Sequence, residues 1–292
     1  MIPLATLNST HGRTSTEVLV LKLRNLIELL GVRGKPKRYN YETTSIAVEG
    51  VGDVTLARWS HPSETSKTVS AEAVEAYRTF ISPGDFCIDI GAHSGDSTLP
   101  MALAAGPNGA VLAVEPNPFV YHVLEKNARA NRTLANIIPL FAAATPEQGI
   151  MRFEYSDSGF CNGGRHEGIS PLAHGHAFNL DVFGVDLASE LTSDYADLLP
   201  KLKFIKTDCE GFDLAVLESL AEVIDTHRPF IKSEVFSKTP TAARRNLLRF
   251  FLDRGYEVHR VIGDHVRTGE QVDLKNIDAW KHYDVLCTPS VD

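Results

Sequence analysis

A glycine-rich turn preceded by an acidic residue is the first feature of the chain that could bind a ligand. Gly91-Ala92-His93-Ser94-Gly95 follows an apolar run, and Asp89 lies two residues before the first glycine. Glycines at both ends permit a tight turn into a helix, whose backbone amides can face a ligand. The spacing differs from the Gly-x-Gly-x-x-Gly of dinucleotide sites. Because the Asp89 carboxylate would repel a pyrophosphate, the turn favours a cationic ligand that bears an amino group and a sulfonium.

A second acid, Glu115, ends the next apolar run and is followed by Pro116 and Asn117. A carboxylate offers two acceptor oxygens, whose spacing matches the two hydroxyls of a ribose. Alternatively, Glu115 caps the helix that we expect to begin at Pro118. The two roles are compatible with each other, so the sequence predicts an adenosine site at this strand end.

A third group of charged residues, Lys206-Thr207-Asp208-Cys209-Glu210, surrounds the end of a later apolar run. Strand alternation puts Lys206 and Asp208 on one face, where the cation would keep Asp208 ionised. Three interpretations stay open. Asp208 acts as a base or orients a hydroxyl; or Glu210 caps a helix while Lys206 and Asp208 form a structural ion pair; or Asp208 and Glu234 hold a divalent metal such as magnesium.

These residues need a sheet that brings the ends of its strands together. From Gly84 onward, apolar runs of strand length alternate with helical patterns, which predicts a doubly wound α/β fold with a parallel sheet. Ligands bind such sheets at the carboxyl ends of the strands, where the winding direction reverses. The predicted strands are 86–91, 110–115, 137–142, 204–208, 230–235, 256–262 and 283–288, with a short strand at 150–155; the predicted helices are 96–105, 118–131, 212–224 and 241–254.

The first 80 residues have a different pattern, with a predicted helix at 16–30, a hairpin of strands 44–48 and 54–59, and a helix at 70–81 capped by Ser70. We interpret residues 1–80 as a cap on a catalytic domain of residues 81–292. The 16–30 helix offers an apolar face either for a homodimer or for packing on the sheet.

Three histidines, His166, His174 and His176, lie in a Gly-rich segment between residues 157 and 178. A lid over the substrate pocket is the favoured interpretation, because no fourth metal ligand follows at fixed spacing. Within such a lid, one of the histidines could still act as the base. Of the nearby aromatic residues, Phe160 could anchor the lid, and Phe178 is expected in the core.

Composition limits the function classes. The net charge of −8 argues against a protein that binds nucleic acid by neutralising phosphates. The four cysteines form no CxxC pair, so neither a disulfide framework nor a zinc knuckle is expected. The apolar run 18–30 contains three charged residues and is too short to span a bilayer. We therefore expect a cytoplasmic protein without a membrane partner.

Taken together, the motifs resemble those of the FkbM family of class I S-adenosylmethionine-dependent methyltransferases. The similarity covers about residues 80–262, and its motifs are Asp89-Ile90-Gly91-Ala92, Glu115-Pro116-Asn117-Pro118, the segment from Lys206 to Asp213, and Phe230-Ile231-Lys232-Ser233-Glu234-Val235. The chain departs from the family at His93, where asparagine is usual, and at Thr207 and Cys209, which replace aliphatic residues.

The resemblance implies a Rossmann-like sheet of seven strands, the last antiparallel, S-adenosylmethionine as methyl donor, and a hydroxyl acceptor on a small molecule such as a sugar or polyketide. Dependence on a divalent metal stays open. We assign catalysis to Lys206, Asp208 and Glu210, and donor binding to Asp89, Gly91, Ala92, His93, Gly95, Ser97, Glu115, Pro116, Asn117, Ala142 and Ala143. The alternatives are N-methylation, or a nucleotide-binding module without activity. The Asn/Asp-Pro-Pro-aromatic motif of many base-amino methylases is absent, since Asp-Cys-Glu-Gly occupies its place.

Overall fold

The computed structural model describes residues 35–65, 67–161, 163–165, 178–263 and 266–290. In chain order its strands are β1 (Tyr41–Val48), β2 (Gly52–Trp59), β3 (Phe86–Ile90), β4 (Ala110–Val114), β5 (Ile137–Leu140), β6 (Ala143–Thr145), β7 (Gly149–Tyr155), β8 (Gly163–Gly164), β9 (Phe178–Asp186), β10 (Leu202–Thr207), β11 (Phe230–Val235), β12 (Tyr256–Val261), β13 (Thr268–Gln271) and β14 (Tyr283–Pro289). The α-helices are α1 (Ala71–Arg78), α2 (Thr98–Ala105), α3 (Tyr121–Ala130), α4 (Leu187–Ser193), α5 (Asp213–Ser219), α6 (Ala221–His227) and α7 (Thr241–Leu252).

The main sheet positions the predicted site. Within the described residues it has eight strands, in the order β13-β12-β14-β11-β10-β3-β4-β5. Neighbours from β11 to β5 are parallel, and β14 is antiparallel to both β11 and β12. The chain leaves β3 toward β4 and β5, then returns to β10 on the other side, so the winding reverses between β3 and β10. The Rossmann-like prediction with an antiparallel last strand is confirmed, and β13 adds a short edge strand to the predicted seven.

The continuous apolar runs reflect burial of the sheet on both faces. Every residue of β3 and of β4 is buried. Alternate residues of β3, β4 and β10 belong to two different core clusters, one containing side chains of α4 to α7 and the other containing side chains of α1 and α2. The first cluster includes Ile88, Leu112 and Ile205; the second includes Cys87, Val111 and Phe204.

The hairpin of β1 and β2 is held on α3 by two asparagine side chains. The Asn127 amide accepts from Ala57 N (2.7 Å) and donates to Ala57 O (3.0 Å), as a neighbouring strand would. Asn131 makes the same pair of bonds with Thr55, at 2.9 and 2.8 Å. The predicted hairpin is confirmed, whereas the boundary between residues 80 and 81 stays a prediction.

A second sheet, with the order β6-β9-β7-β8 in the described part of the chain, stands beside the main one. The sequence predicted only β7 of this sheet, at 150–155. Phe160 and Phe178 are both buried in the cluster that packs against it. Phe178 therefore lies in the core as expected, and Phe160 belongs to the same core.

Several element boundaries differ from those predicted. The helix expected from Pro118 begins at Tyr121, because Asn117 accepts the backbone N–H of Phe119 through its side chain and those of Val120 and Tyr121 through its carbonyl, which forms a turn first. The helix expected at 212–224 is two helices, α5 and α6, that meet at Leu220. Ser70 caps α1 as predicted, accepting from Ala73 N at 3.2 Å.

Some of the sequence predictions concern residues that the structure does not describe. The helix at 16–30, with its face for a homodimer, and the histidines His166, His174 and His176 lie outside the described residues. Among the helices that the structure does describe, none has both the length and the apolar character needed to cross a membrane.

Candidate functional site

One large cavity opens at the carboxyl ends of β3, β4 and β10, where the winding reverses. Its volume is about 950 Å³, near the upper end of the roughly 300–1,000 Å³ of small-molecule sites. The strand ends form one wall, residues 63–65 and 67–68 after the hairpin form another, and side chains of the second sheet, such as Phe153 and Tyr155, contribute a third. The predicted residues Gly91, His93, Ser97, Glu115, Pro116, Asn117, Ala142, Ala143, Lys206, Asp208 and Glu210 all line it.

The glycine turn is in direct backbone contact with the end of β10. Gly91 has a φ of 78°, and a Cβ atom at this position would lie 2.1 Å from the carbonyl oxygen of Asp208. The backbone N–H of Asp208 in turn donates to Ile90 O at 3.0 Å. At the other end of the turn, a Cβ on Gly95 would lie 2.9 Å from Leu124 of α3. Only glycine fits these two positions, so the turn and Asp208 are held side by side.

Glu115 presents a buried carboxylate to the cavity. Its two oxygens accept the backbone N–H groups of His93 (2.7 Å) and Asn117 (2.8 Å). Burial raises the pKa of Glu115, although the nearby His93 and the two backbone donors oppose the shift. Each carboxylate oxygen has a second lone pair, so both can still accept a hydroxyl. These two acceptor oxygens match the two hydroxyls of a ribose.

Asn117 and Ala92 have mainly structural contacts. The Asn117 side chain donates to Phe160 O at 2.7 Å and accepts from Phe119 N at 2.9 Å, which ties the end of β4 to the connection after β7. The backbone N–H groups of Gly91 and Ala92 both donate to Val114 O, at 3.0 and 3.1 Å. These two amides are therefore satisfied by β4, and donor binding at Asn117 and Ala92 stays a prediction.

Asp89 is completely buried. Its carboxylate accepts hydrogen bonds from Ser97 (3.1 Å) and Thr98 (2.6 Å) at the start of α2, and lies 3.2 Å from the ammonium of Lys206. It thereby joins β3, α2 and β10. Direct contact between Asp89 and the donor stays a prediction, since the structure shows this carboxylate bonded to the protein.

Lys206 lies between two acids, with its Nζ 3.2 Å from Asp89 and 3.4 Å from Asp208. Burial lowers the pKa of Lys206, but the two carboxylates outweigh it and raise the value well above the ordinary one. For Asp208, burial opposes ionisation, yet the ammonium groups of Lys206 and Lys232 lower its pKa. The Asp208 side chain is 47% exposed. An ionised carboxylate, held by a charged lysine, therefore faces the cavity as the alternation of β10 predicted.

Glu210 has a different protonation chemistry. Burial, with the charge of Asp208 second, raises its pKa to about 7. Its backbone has a φ of 55°, and its N–H donates to Glu234 at 3.0 Å. Asp213, the first residue of α5, accepts from Cys209 N (3.2 Å) and Gly211 N (3.3 Å) and so holds the turn before the helix. The N-cap of α5 is Phe212, and no side chain of the described residues caps the helix, so the helix-capping role predicted for Glu210 is not found.

Glu234 is buried, and burial raises its pKa well above the ordinary value. One of its oxygens accepts the Glu210 N–H, and the other lies 3.5 Å from His282 Nε2. A metal held by Asp208 and Glu234 stays a prediction.

Two further ion pairs line the cavity, and the sequence did not indicate them. Lys67 Nζ lies 2.7 Å from Asp96, and Lys232 Nζ lies 2.8 Å from Asp284. Their members come from four separate segments and share no spacing or motif. Only Lys232 lies inside one of the family motifs, and that position could have identified it as a candidate site residue.

Comparison with known proteins shows the family. A family model described as "Methyltransferase FkbM domain" matches residues 89–258, more than half of the chain. No curated protein sequence matches the chain at a significant level. Among solved structures, an FkbM methyltransferase from Methylobacillus flagellatus is 15% identical with a TM-score of 0.42, covering 74% of this chain and 51% of that one, so this chain spans about half its length. A fibrillarin from Aeropyrum pernix with bound S-adenosyl-L-methionine is 13% identical with a TM-score of 0.40, covering 87% of this chain and 97% of that one.

Proposed function

The chain belongs to the FkbM methyltransferase family, and we propose that it transfers a methyl group from S-adenosylmethionine to a hydroxyl oxygen of a small molecule. The observation that carries this proposal is the contact between the glycine turn and Asp208. A donor on the turn and an acceptor on the carboxylate would then be neighbours. Holding two reactants side by side supplies a large part of the lowering of the activation barrier in a displacement reaction.

The donor site is supported by the residues on the β4 side of the cavity. Membership in the family implies S-adenosylmethionine, which supplies an electrophilic methyl group on a sulfonium when bound. Glu115 would accept the two ribose hydroxyls on the lone pairs that its backbone donors leave. Ala142 and Ala143 are buried and line the cavity, so their small side chains leave room for a flat ring beside Glu115.

The acceptor would meet two acids with different proton affinities. A hydroxyl is a poor nucleophile at neutral pH, and it must lose its proton as the new bond forms. Asp208, which Lys206 keeps ionised, is suited to accept a hydrogen bond from the hydroxyl and orient it. Glu210, with a pKa of about 7, is suited to take the proton, because a base is most effective near the working pH.

The charges of the remaining cavity wall support a polar acceptor. The pairs Lys67–Asp96 and Lys232–Asp284 place donors and acceptors together around the space beyond Asp208. A molecule with many hydroxyl groups can bond to both members of each pair, whereas an apolar one would cover these charged groups without bonding to them. We therefore place polyhydroxylated molecules, such as sugars or glycosylated metabolites, first among the acceptors.

The test uses matched acceptors with S-adenosylmethionine that carries a labelled methyl group. Each polyol is offered beside the amino analogue in which one hydroxyl is replaced, and the labelled product is located by mass spectrometry. Label on oxygen supports the proposal, while label on the nitrogen alone would make the protein an N-methyltransferase. Asp208→Asn should retain donor binding by calorimetry but lose turnover. Donor binding without turnover on any acceptor would indicate a module without activity.

A further inference from the structure

Three side chains from separate segments meet at one wall of the cavity. Glu64 lies between β2 and α1, His93 lies in the glycine turn, and Cys161 follows β7. Glu64 Oε2 is 3.9 Å from His93 Nδ1 and 3.9 Å from Cys161 Sγ. In the part of the chain that the structure describes, this is the one group of three such residues whose ligand atoms all lie within 4.8 Å of one another.

We propose that Glu64, His93 and Cys161 form a binding site for a divalent transition metal of the zinc class. A thiolate sulfur, an imidazole nitrogen and a carboxylate oxygen are the ligands that zinc takes in proteins. Bonds of about 2.0–2.3 Å in a tetrahedral arrangement separate the ligand atoms by roughly 3.3–3.7 Å. The two observed 3.9 Å separations need to shorten by a few tenths of an ångström, and the third, which lies within 4.8 Å, by at most about 1.3 Å. Magnesium and calcium, which prefer oxygen ligands, do not suit a site with sulfur and nitrogen.

One oxygen of the buried Glu64 carboxylate, Oε1, has no hydrogen bond with the described residues, while the other accepts the Cys161 thiol. The Glu64 side chain is 8% exposed. Lys67 Nζ lies 3.8 Å from Oε1, too far for a hydrogen bond. A buried acceptor without a hydrogen bond is costly and needs an explanation. A cation bound at Oε2 supplies one, because it neutralises the carboxylate and so lowers the cost of leaving Oε1 without a hydrogen bond.

His93 is held toward Glu64 by its backbone and by a neighbouring ring. Its φ of 51° lies in the left-handed region, which residues other than glycine rarely adopt. The indole of Trp59 packs edge to face on the imidazole, with ring centroids 5.5 Å apart. The arrangement directs Nδ1 to the carboxylate, so the imidazole is already oriented for a metal ion.

The position of the site leaves one coordination position for a ligand from the cavity. Glu64, His93 and Cys161 all line the cavity that also contains Glu115 and Asp208. Three protein ligands and one open position are typical of zinc sites that bind a water or a substrate atom. The fourth ligand would therefore be a water, or an oxygen or sulfur atom of a molecule in the cavity. The proposed methyl transfer does not require this metal site, so the site goes beyond the proposed function. Metal binding can also be measured without turnover.

The experiment titrates the full chain, first stripped of metal with a chelator, with Co²⁺ as a spectroscopic probe for zinc. Thiolate-bound Co²⁺ gives a charge-transfer band in the near ultraviolet, and added Zn²⁺ should abolish it by displacement. We expect Cys161→Ser to lose the band. Glu64→Gln and His93→Asn should weaken Co²⁺ binding by more than the roughly 10–100-fold typical of residues that only support a ligand.

Cys209→Ser is the matched control, because Cys209 is a free cysteine that lines the same cavity but lies outside the group of three. It should retain the full band. A wild-type protein without the band, or a band that survives Cys161→Ser, would overturn the proposal and leave a hydrogen-bonded cluster. Circular dichroism checks the folding of each variant, and Glu64→Gln, which keeps the size of the side chain, replaces Cys161→Ser if the latter does not fold. Since no methyl transfer is measured, failure of this proposal and failure of the proposed function remain distinguishable.

Discussion

Lys206 sets the charge balance of the site. Its ammonium lies within 3.4 Å of both Asp89 and Asp208, and all three residues stand on the ends of two neighbouring strands. Lys206 keeps the pKa of Asp208 low, whereas burial and the charge of Asp208 raise the pKa of Glu210 to about 7. Two acids of one cavity thus differ in proton affinity at neutral pH, which allows them different roles in acceptor binding and proton removal.

The pH dependence of turnover tests the role of Glu210. A base must be deprotonated to act, so kcat/KM should rise as the pH passes through about 7. Glu210→Gln should lower the rate by about 100-fold and abolish this rise. Initial rates across this pH range provide the measurement, with Glu218→Gln, an exposed change on α5, as the control. An unaltered profile in Glu210→Gln would assign the proton to another group.

The contribution of Glu115 can be measured by donor binding. Loss of charged hydrogen bonds, worth about 1.5–3 kcal/mol each, predicts that Glu115→Gln raises the calorimetric Kd of S-adenosylmethionine by roughly 10–100-fold. Glu125→Gln, which removes an exposed ion pair with Arg129 on α3, should leave the Kd unchanged. A donor analogue without ribose hydroxyls should bind the wild type and Glu115→Gln equally. If Glu115→Gln still discriminates against the analogue, another residue holds the ribose.

At the scale of elements, the contact between the β3 turn and β10 matters most. The hydrogen bond from Asp208 N to Ile90 O continues the parallel pairing beyond the last residues of the strands. Gly91 lets the two backbones approach within a distance that no side chain permits. The switch point of the sheet is therefore a close-packed junction, and in the proposed function its geometry would decide where donor and acceptor meet.

Two glycines with similar φ angles make it possible to measure the effect of this contact separately from that of backbone strain. Gly91 and Gly106 have φ angles of 78° and 69°, but a Cβ on Gly106 would meet nothing within 4 Å. Gly106→Ala should cost about 1–3 kcal/mol, because its φ of 69° and ψ of −179° lie in a region that essentially only glycine adopts. Gly91→Ala should lower the free energy of unfolding by at least about 2 kcal/mol more and abolish turnover. Urea unfolding of both variants gives the comparison, and equal losses would show that the close contact at Gly91 is unimportant.

At the scale of the whole molecule, the N-terminal hairpin and the main sheet form the cavity together. Asn127 joins them, because its side chain also donates to Ser94 O in the glycine turn at 2.8 Å. The segment that follows β2 contributes Ser63, Glu64 and Lys67 to the cavity wall. The hairpin is thus joined to the glycine turn through Asn127, and the segment after the hairpin lines the cavity.

Weakening this junction should affect both stability and donor binding. Asn127→Ala leaves buried backbone groups of Ala57 and Ser94 without partners, which predicts a loss of about 2–4 kcal/mol in the free energy of unfolding. The Kd of S-adenosylmethionine should rise as well. Asn246→Ala on the exposed face of α7 should change stability by less than about 0.5 kcal/mol. Denaturation gives the free energy of unfolding and calorimetry gives the Kd, both on the same preparations. If the two variants have equal values of both, Asn127 does not couple stability to donor binding.

Local pattern was sufficient for the sheet, the glycine turn and the acids at the strand ends. Apolar runs identified β3 and β4, because burial on both faces leaves a continuous apolar run in the sequence itself. The runs of β10 and β11 also contain buried polar residues such as Lys206 and Lys232. The rule that ligands bind at strand ends then placed Glu115 and Asp208 in one cavity. The family followed from motifs that lie within this pattern.

What the tertiary structure decided are the partners of those residues. Asp89 bonds to Lys206, 117 positions away, and so is buried within the protein. Glu64, His93 and Cys161 come from segments that share no period or motif, and only the docking of the hairpin and of the second sheet brings them together. Periodicity records the direction of a side chain relative to its own element, whereas contact between distant elements depends on how their surfaces pack.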